Sequence, residues 1–328
     1  MLVIGRHDVR ALLDLDALID ALAVAMADLS AGRASVPPRV AAFVSERDGF
    51  LAAMPGYVPA LGALTTKLVT LFPSNDGTSV PTHQAVIAAF DPASGSPIAL
   101  MDGTEITAMR TGAASALSAR LLANEDASVL AVLGTGVQAR VHARALARVR
   151  PIREVRVAGR DVDRARAVAH ELQEELGIAV RATASYEEAS LGADVVCATT
   201  ATRDPVVRRE WLSPGVHVTS VGFRAGGREV DDATIADALV CVESRSAVLA
   251  PPPAGSNDLI EPIRTGVIAE ADIHAEIGEL VLGHRPGRTS RDQITLYKSV
   301  GVAVQDAAAA ALVLDAARER GLGRQIEL

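Results

Sequence analysis

Aromatic residues are scarce in this chain: five Phe, three Tyr and one Trp, 3% of 328 residues. With Lys+Arg 32 against Asp+Glu 40 the formal net charge is −8. The chain therefore lacks both the stacking platforms and the basic field that nucleic-acid binding needs, and nucleic acid is not an expected partner. It has two cysteines, Cys197 and Cys241. Each lies inside an apolar run that reads as a buried strand, so both are expected to be small core hydrophobes rather than a disulfide or a nucleophile. No CxxC pair or spaced His/Cys/Asp cluster points to a metal. Nowhere do about 18 apolar residues follow one another, as a membrane span requires. The opening MLVIGRHDVRALLD sets Arg6, His7, Asp8 and Arg10 where a signal peptide needs an unbroken apolar core. The expectation is a cytoplasmic protein without a membrane partner, long enough for about two domains.

Lysine is scarcer still relative to arginine. Of the 32 basic residues only Lys67 and Lys298 are lysine. An Ala- and Arg-rich composition of this kind points to a GC-rich coding bias, under which solvated lysines drift to arginine because either charge serves there. The two that remain call for a reason. An ammonium differs from a guanidinium as a compact, three-donor point charge whose pKa can shift.

From residue 128 onward, short β-branched runs alternate with helical stretches. The runs are SVLAVLG (128–134), EVRVAGR (154–160), ADVVCATT (193–200), HVTSVGF (217–223) and ALVCVES (238–244). Their near-continuous apolar character suits strands buried on both faces of a parallel sheet. Between the first two runs, QARVHARALARV places Val141, Ala145, Leu146 and Val149 at helical spacing. Strand, helix and strand in succession is the pattern of a doubly wound, Rossmann-type α/β fold. The first hundred residues differ. A helix from Leu15 to Leu29 leads into PPRVAAF, GFLAAMPGYV, ALTTKLVTLF and THQAVIAAFDPASGSPIALMD, strand-like pieces joined by Pro, Gly, Asn and Asp turns, which predicts a mostly antiparallel sheet in an α+β domain. Further helices are expected from Glu105 to Ala123 and from Ser299 to Arg320, and APPPAGSND (250–258) reads as a loop.

The run at 128–134 leads into Gly134-Thr135-Gly136-Val137-Gln138-Ala139, a GxGxxA form of the dinucleotide fingerprint. Gly134 permits the tight turn, Gly136 lets a pyrophosphate approach the backbone, and Ala139 lets the helix pack close to the strand. The helix N-terminus then offers unpaired N–H groups to the anion. A hexamer of this type is weak alone and strong between a clear strand and a clear helix. At the end of the second strand, Ala158-Gly159-Arg160-Asp161 has a glycine where NAD-specific sites carry a carboxylate, and Arg160 offers a fork to a 2′-phosphate. NADP is favoured, with NAD possible. Asp161 has two open roles, reaching the ribose or capping the helix at 162–176.

A second constellation precedes the fingerprint: Arg39, Lys67, Thr82-His83 and Arg110-Thr111, polar groups in otherwise apolar stretches. Lys67 shares a strand face with Thr65 and Val69, so its ammonium either snorkels to the edge or points into a cleft. Three cations converging on one cleft would suit a carboxylate. ALTTKLVTLF, PTHQAVIAAFDPASGSPIALMDGTEITAMRTGAASALSARLLA, LGTGVQA, REWLSPGVHVTSVG, AEIGELVLG and YKSVGVAVQDAAAA together resemble the ornithine cyclodeaminase and mu-crystallin family over nearly the whole chain.

That resemblance implies proteins that bind NAD(P) in one domain, dimerise through the other, and interconvert α-amino acids with α-imino or keto acids. It divides the chain into a substrate-binding and dimerisation domain, 1–118 with 302–328, and a Rossmann domain, 119–301. Arg39, Lys67 and Arg110 match the positions that hold the substrate α-carboxylate. Arg110, Thr111, Thr82, His83, Val137 and Gln138 fall on the cofactor side with Gly134, Gly136, Gly159 and Arg160. Thr200, Val221 and Lys298, the last in YKSVG, are also placed near the cofactor. Cyclodeaminases carry an Asp after the VG pair; here Val221-Gly222-Phe223-Arg224-Ala225-Gly226-Gly227-Arg228 holds no carboxylate before Glu229. The carboxylate expected two residues before Met-Pro is also missing, Ala52 standing there. Both departures argue against ornithine cyclodeamination, and because oxidising an amine first requires a base to neutralise ammonium, whereas a protonated iminium already carries its proton, loss of the Asp fits the reductive direction. The expected activity is NAD(P)H-dependent reduction of a cyclic ketimine, with Lys67 and His83 as catalytic candidates and Glu276 a further proton-relay candidate. The alternatives are an ornithine cyclodeaminase, an alanine dehydrogenase-like enzyme, or an NADP-dependent carrier of a small ligand with little turnover.

Overall fold

The computed structural model of the chain describes residues 1–224, 226–251 and 254–327. Of the expected loop at 250–258, Pro252 and Pro253 lie outside the described residues, as do Ala225 in the 221–229 segment and the terminal Leu328. In chain order the elements are β1 (Leu2–Ile4), α1 (Arg6–Leu12), α2 (Leu15–Ser30), β2 (Val40–Val44), β3 (Gly49–Val58), β4 (Ala63–Leu71), β5 (His83–Phe90), β6 (Pro97–Asp102) and α3 (Gly103–Leu122). There follow β7 (Val129–Leu133), α4 (Val137–Val149), β8 (Glu154–Ala158), α5 (Val162–Leu176), β9 (Ala179–Ala182), α6 (Tyr186–Ser190), β10 (Val195–Ala198), β11 (His217–Ser220), α7 (Asp232–Asp237) and β12 (Leu239–Val242). The chain finishes with α8 (Arg245–Val248), α9 (Asn257–Thr265), β13 (Ala275–Glu276), α10 (Ile277–Val281), β14 (Thr295–Lys298), α11 (Ala303–Arg320) and β15 (Arg324–Gln325). They form two compact units, 1–110 with 302–328 and 111–301, so the division falls inside α3, between Arg110 and Thr111.

In unit 1 the strand order is β15-β1-β6-β5-β4-β3-β2. Only the β1/β6 pair is parallel, so the sheet is mostly antiparallel. Its inner face alternates small and medium apolar residues, Ala52 and Met54 on β3, Val69 on β4 and Ala85 on β5, and these pack with Ala303 of α11. A Cβ placed on Gly56 would lie 2.9 Å from the Ala303 Cβ. Small side chains on both partners are what allow α11 to lie so close to the sheet. The other face leaves apolar side chains exposed on β2, β3, β4 and β5.

Unit 2 is an eight-stranded sheet, β13-β12-β14-β11-β10-β7-β8-β9, with every neighbouring pair parallel. The order runs outward in both directions from β7, which puts the topological switch point between β7 and β10, where a doubly wound sheet opens a crevice at its carboxyl end. Strands such as β10 and β11 are buried throughout, and β10 feeds two apolar clusters by turns, Val196 and Ala198 into one and Val195 and Cys197 into the other. β14 was not expected as a strand and sits between β11 and β12.

Two histidines lie deep in this unit. His142 Nδ1 donates to the Gln138 carbonyl at 2.8 Å, which leaves Nε2 to accept from the Ser115 hydroxyl at 2.9 Å. His217 contacts the hydroxyls of Ser118 and Thr295 at 3.1 and 2.9 Å. Burial pushes His142 down to about 4 and His217 down to about 3. Both imidazoles are neutral in the folded protein and protonate on unfolding once the pH falls below about 6.5. Stability should therefore decline from about pH 6.5 downward, by up to about 1.4 kcal/mol per pH unit for each histidine, before carboxylates protonate. Urea unfolding at pH 7 and pH 5 tests this, with the His142→Asn/His217→Asn double variant expected to flatten the slope. Equal wild-type stability at the two pH values would contradict it.

Candidate active site

Each unit contains a buried cluster of charge. In unit 1, Lys67 projects from the middle of β4 onto the inner face it shares with Thr65 and Val69. It does not snorkel: its side chain is 2% exposed and Nζ lies 2.8 Å from Asp306 Oδ2. Arg110 on α3 donates from Nε to Asp306 Oδ1 at 3.1 Å and from Nη1 to Gln305 Oε1 at 2.8 Å. Asp306, in the first turn of α11, has no exposed surface. It reaches this depth because the helix is pressed onto the sheet by small residues.

The electrostatics follow from this burial. Desolvation pushes the Lys67 ammonium down to about 8, Asp306 offsets part of the effect, and the Arg110 and Arg39 charges add to it. Arg39, half-buried just ahead of β2, is thus within electrostatic reach of Lys67. Burial opposes ionisation of Asp306, but the Lys67 and Arg110 charges outweigh it and hold the carboxyl below its usual range. His83, half-buried at the start of β5, is pushed down to about 4 by burial and then by Lys67 and Arg110. A proton relay through a His83 imidazolium does not fit near neutral pH, because that form is scarcely populated. Lys67 is the group whose pKa lies near the working range. Thr82, also half-buried, accepts the Phe72 N–H on its carbonyl at 2.8 Å.

In unit 2 the glycine turn has the geometry that a pyrophosphate needs. Gly134 has φ +133, and a Cβ there would lie 2.4 Å from Thr199 Oγ1. Gly136 faces open space and is the N-cap of α4, which among the described residues has no side-chain cap. The first N–H groups of a 13-residue helix therefore remain available. Val137 is exposed, and the Gln138 Oε1 is buried with no partner among the described residues. Arg140, which the sequence reading passed over, braces the turn by donating to the carbonyls of Thr135 and Gly136 at 3.0 and 3.2 Å. A Cβ on Gly159 would lie 2.6 Å from Thr135 Cγ2. Arg160 is exposed at the end of β8, and Thr111, the first residue of the unit, is buried. Of the two roles open to Asp161, the structure takes the cap: its Oδ1 accepts from the N–H groups of Asp163 and Arg164 at 2.9 and 3.1 Å. These residues fit a dinucleotide.

Lys298 behaves differently from expectation. It is buried at the end of β14, where Nζ lies 2.9 Å from Asp258 Oδ2 and donates to Ser220 Oγ at 2.9 Å and the Gly222 carbonyl at 3.2 Å. An ammonium has three donors, and all are engaged within the unit, so direct contact with a cofactor is not its part. Thr200 gives both its N–H and its hydroxyl to Glu229, and the Val221 N–H bonds the Ala198 carbonyl at 3.1 Å. Glu276, the further relay candidate, is the N-cap of α10 and accepts the Arg245 N–H at 2.8 Å. Among the described residues no group of three or more His, Cys, Asp or Glu could hold a metal ion, and no helix is long and apolar enough to cross a membrane.

The model of the ornithine cyclodeaminase/mu-crystallin family matches residues 1–321. The chain belongs to this family. It is 39% identical over 302 residues to ketimine reductase mu-crystallin of Mus musculus, covering 91% of each chain. It is 36% identical over 329 residues to a Delta(1)-pyrroline-2-carboxylate reductase of Bacillus cereus, covering all of both. Among solved structures, the Delta(1)-pyrroline-2-carboxylate reductase of Thermococcus litoralis in complex with NADH and L-proline superposes with a TM-score of 0.95 at 38% identity, covering 99% of this chain and 100% of that one.

In unit 1 of this member of the ornithine cyclodeaminase/mu-crystallin family, the charged-cluster residues that sequence reading left out are Asp306 and Gln305. The signal was present in VAVQDAAAA, a lone Gln-Asp pair in an alanine-rich helix. Removing the carboxylate leaves two buried cations facing each other, so Asp306→Asn is expected to cost about 3 kcal/mol in urea unfolding. In a double-mutant cycle with Lys67→Met, the pair should couple by about 2 kcal/mol. Additive effects would show that the two side chains do not form a working ion pair.

Proposed function

We propose that this protein reduces a cyclic α-imino acid, of the pyrroline- or piperideine-2-carboxylate type, to the L-amino acid with NADPH. Imine reduction is the activity named for the similar proteins from mouse and B. cereus. The observation that carries the direction of reaction is Glu229. It is the first carboxylate after the Val221-Gly222 pair, and its two oxygens already accept four donors, from Thr200 N–H and Oγ and from Ser220 Oγ and Gly222 N–H. A base for an ammonium substrate must have a free lone pair, and here none is left. Ala52, buried on β3, brings no carboxylate either. A protonated iminium needs neither.

In this reading Lys67 and Arg110, with Arg39 beside them, hold the substrate carboxylate. Asp306 and Gln305 keep Lys67 and Arg110 aimed, so that little reorganisation is needed on binding. A second negative charge near Lys67 would draw its pKa back up and keep the ammonium protonated, ready to stabilise the anionic end of the substrate. His83, as a neutral imidazole, offers one hydrogen bond to the substrate. The N–H groups at the start of α4 hold the pyrophosphate, with Thr111, Val137 and Gln138 lining the same cofactor, and Arg160 takes the 2′-phosphate, with no carboxylate at position 159 to repel it. The reduced nicotinamide supplies the hydride when bound.

Homodimerisation through unit 1 fits the outer face of its sheet. Val40, Ala53, Leu68 and Val86 stand in one register row across β2, β3, β4 and β5. Val40 is 67% exposed, and Leu68 and Val86 are also exposed. An apolar row of this kind calls for a partner surface. A cytoplasmic enzyme would have reduced nicotinamide at hand.

The test is one substrate panel: NADPH or NADH with each cyclic ketimine, and ornithine with NAD in the reverse sense, followed by nicotinamide absorbance. Ketimine reduction with NADPH preferred is expected, and Arg160→Ala should weaken NADPH about tenfold while sparing NADH. Ornithine consumption as the sole activity would contradict the proposed reaction, and equal effects on the two cofactors would contradict the role of Arg160.

A further inference from the structure

The second charge cluster, at the carboxyl end of the unit 2 sheet, does more than fill space. Glu229, Asp258 and Lys298 are all buried. Taking each charge out of water costs several kcal/mol that a packed hydrophobe would not. The bonds they make converge on two short stretches of backbone. Glu229 Oε1 receives the Thr200 N–H at 2.6 Å and the Thr200 hydroxyl at 2.7 Å, just beyond β10. Its Oε2 receives the Ser220 hydroxyl and the Gly222 N–H, each at 2.7 Å, just beyond β11. Lys298 takes the Gly222 carbonyl, so both polar backbone groups of that residue are fixed by charged side chains. Nothing larger than glycine fits: a Cβ on Gly222 would lie 2.0 Å from the Thr200 carbonyl oxygen and 2.4 Å from the Glu229 carboxyl.

Glu229 is itself held from behind. Asp258 Oδ1 accepts the N–H groups of Glu229 and Val230 at 2.7 and 2.9 Å. Its Oδ2 pairs with Lys298 at 2.9 Å, and Lys298 also donates to Ser220 Oγ. Burial opposes ionisation of Asp258, but the Lys298 charge outweighs it and keeps the carboxyl below its usual range. The cluster is a closed frame in which the exits of β10, β11 and β14 and the start of α9 are tied to one another.

The position of the frame in the sheet gives it a direction. A dinucleotide on a doubly wound sheet spans the switch point, with its adenosine half on the side of the second strand and its other half across the first. Here β8, which ends in Gly159-Arg160, lies on one side of β7, and β10, β11 and β14 lie on the other. We propose that Glu229 is a positioning residue for the nicotinamide half of the cofactor site, setting the backbone of Thr200 and Gly222 while Asp258 fixes its own backbone and Lys298 fixes the Ser220 hydroxyl that donates to its carboxylate. This rests on the cofactor reading of the preceding section.

Glu229→Gln tests it. The amide keeps the shape but turns an NH2 toward one pair of donors, so the N–H of either Thr200 or Gly222 loses its acceptor and meets another donor. The full-length wild type and variant are titrated calorimetrically with NADPH and NADH, and with ADP-ribose and its 2′-phosphate, which lack the nicotinamide. The expected result is a loss of about tenfold in affinity for the reduced dinucleotide, with the matching fragment unchanged within about twofold. Unchanged dinucleotide affinity, or an equal loss for dinucleotide and fragment, overturns the proposal. If the wild type binds neither NADPH nor NADH, the cofactor reading falls and takes this inference with it. Wild-type binding with an indifferent variant removes only the role of Glu229. Should Glu229→Gln fail to fold, Ser220→Ala removes one of the four donors and the bridge to Lys298. It should show the same selective loss at about threefold, and equal affinities for wild type and Ser220→Ala would overturn the proposal.

Discussion

Asp306 sits without exposed surface between the Lys67 ammonium and the Arg110 guanidinium, and much of unit 1 is arranged so that it can. A carboxylate at that depth is tolerable only with cations against it, and the cations only with the carboxylate. The alanines of α11 and Gly56 of β3 let the helix approach the sheet until the ion pair closes. The charge also biases its surroundings. Lys67 is left titrating near the physiological range, and His83 is held neutral. In the proposed function, a site made this way is an anion receptor formed in advance, with its own resident carboxylate keeping the cations in place before a substrate arrives.

Unit 2 uses the same physical device for a different end. Glu229 is a buried carboxylate whose neighbours are mostly backbone and hydroxyl donors, and the cation that accompanies it, Lys298, pairs more closely with Asp258. Where Asp306 orients side chains, Glu229 orients main chain. In both units, removing the carboxylate should disturb groups that never touch each other directly, because each is aimed by the same two oxygens.

Much of this was legible in the sequence, unevenly. The alternation in GFLAAMPGYV marked β3, and the spacing at 162–176 marked α5, because local pattern and tertiary burial agree there. Lys67 stood out as one of two lysines in the chain and as a charge inside an apolar strand. Asp306 did not, because an acidic residue near the start of a helix reads as an ordinary complement to the helix dipole. Its burial exists only once α11 is laid on the sheet. β14 escaped for a related reason: TLYK is four residues long and becomes a strand by fitting between β11 and β12. Gly301, with φ +79, stops helix formation short of Ser299 and moves the start of α11 to Ala303. Lys298 was recognised as a position that matters but with the wrong neighbour in mind, since sequence spacing does not reveal that Asp258 and Ser220 lie beside it.

The proposed function stands on recognition of a carboxylate by the Lys67, Arg110 and Asp306 cluster. The most direct measurement is calorimetric binding of L-proline against L-prolinamide, in the presence of oxidised cofactor. The two ligands differ only in the group that the cluster would recognise. The account predicts that prolinamide binds about a hundredfold more weakly than proline, as expected when a buried charge pair loses one side. Equal affinities would contradict it.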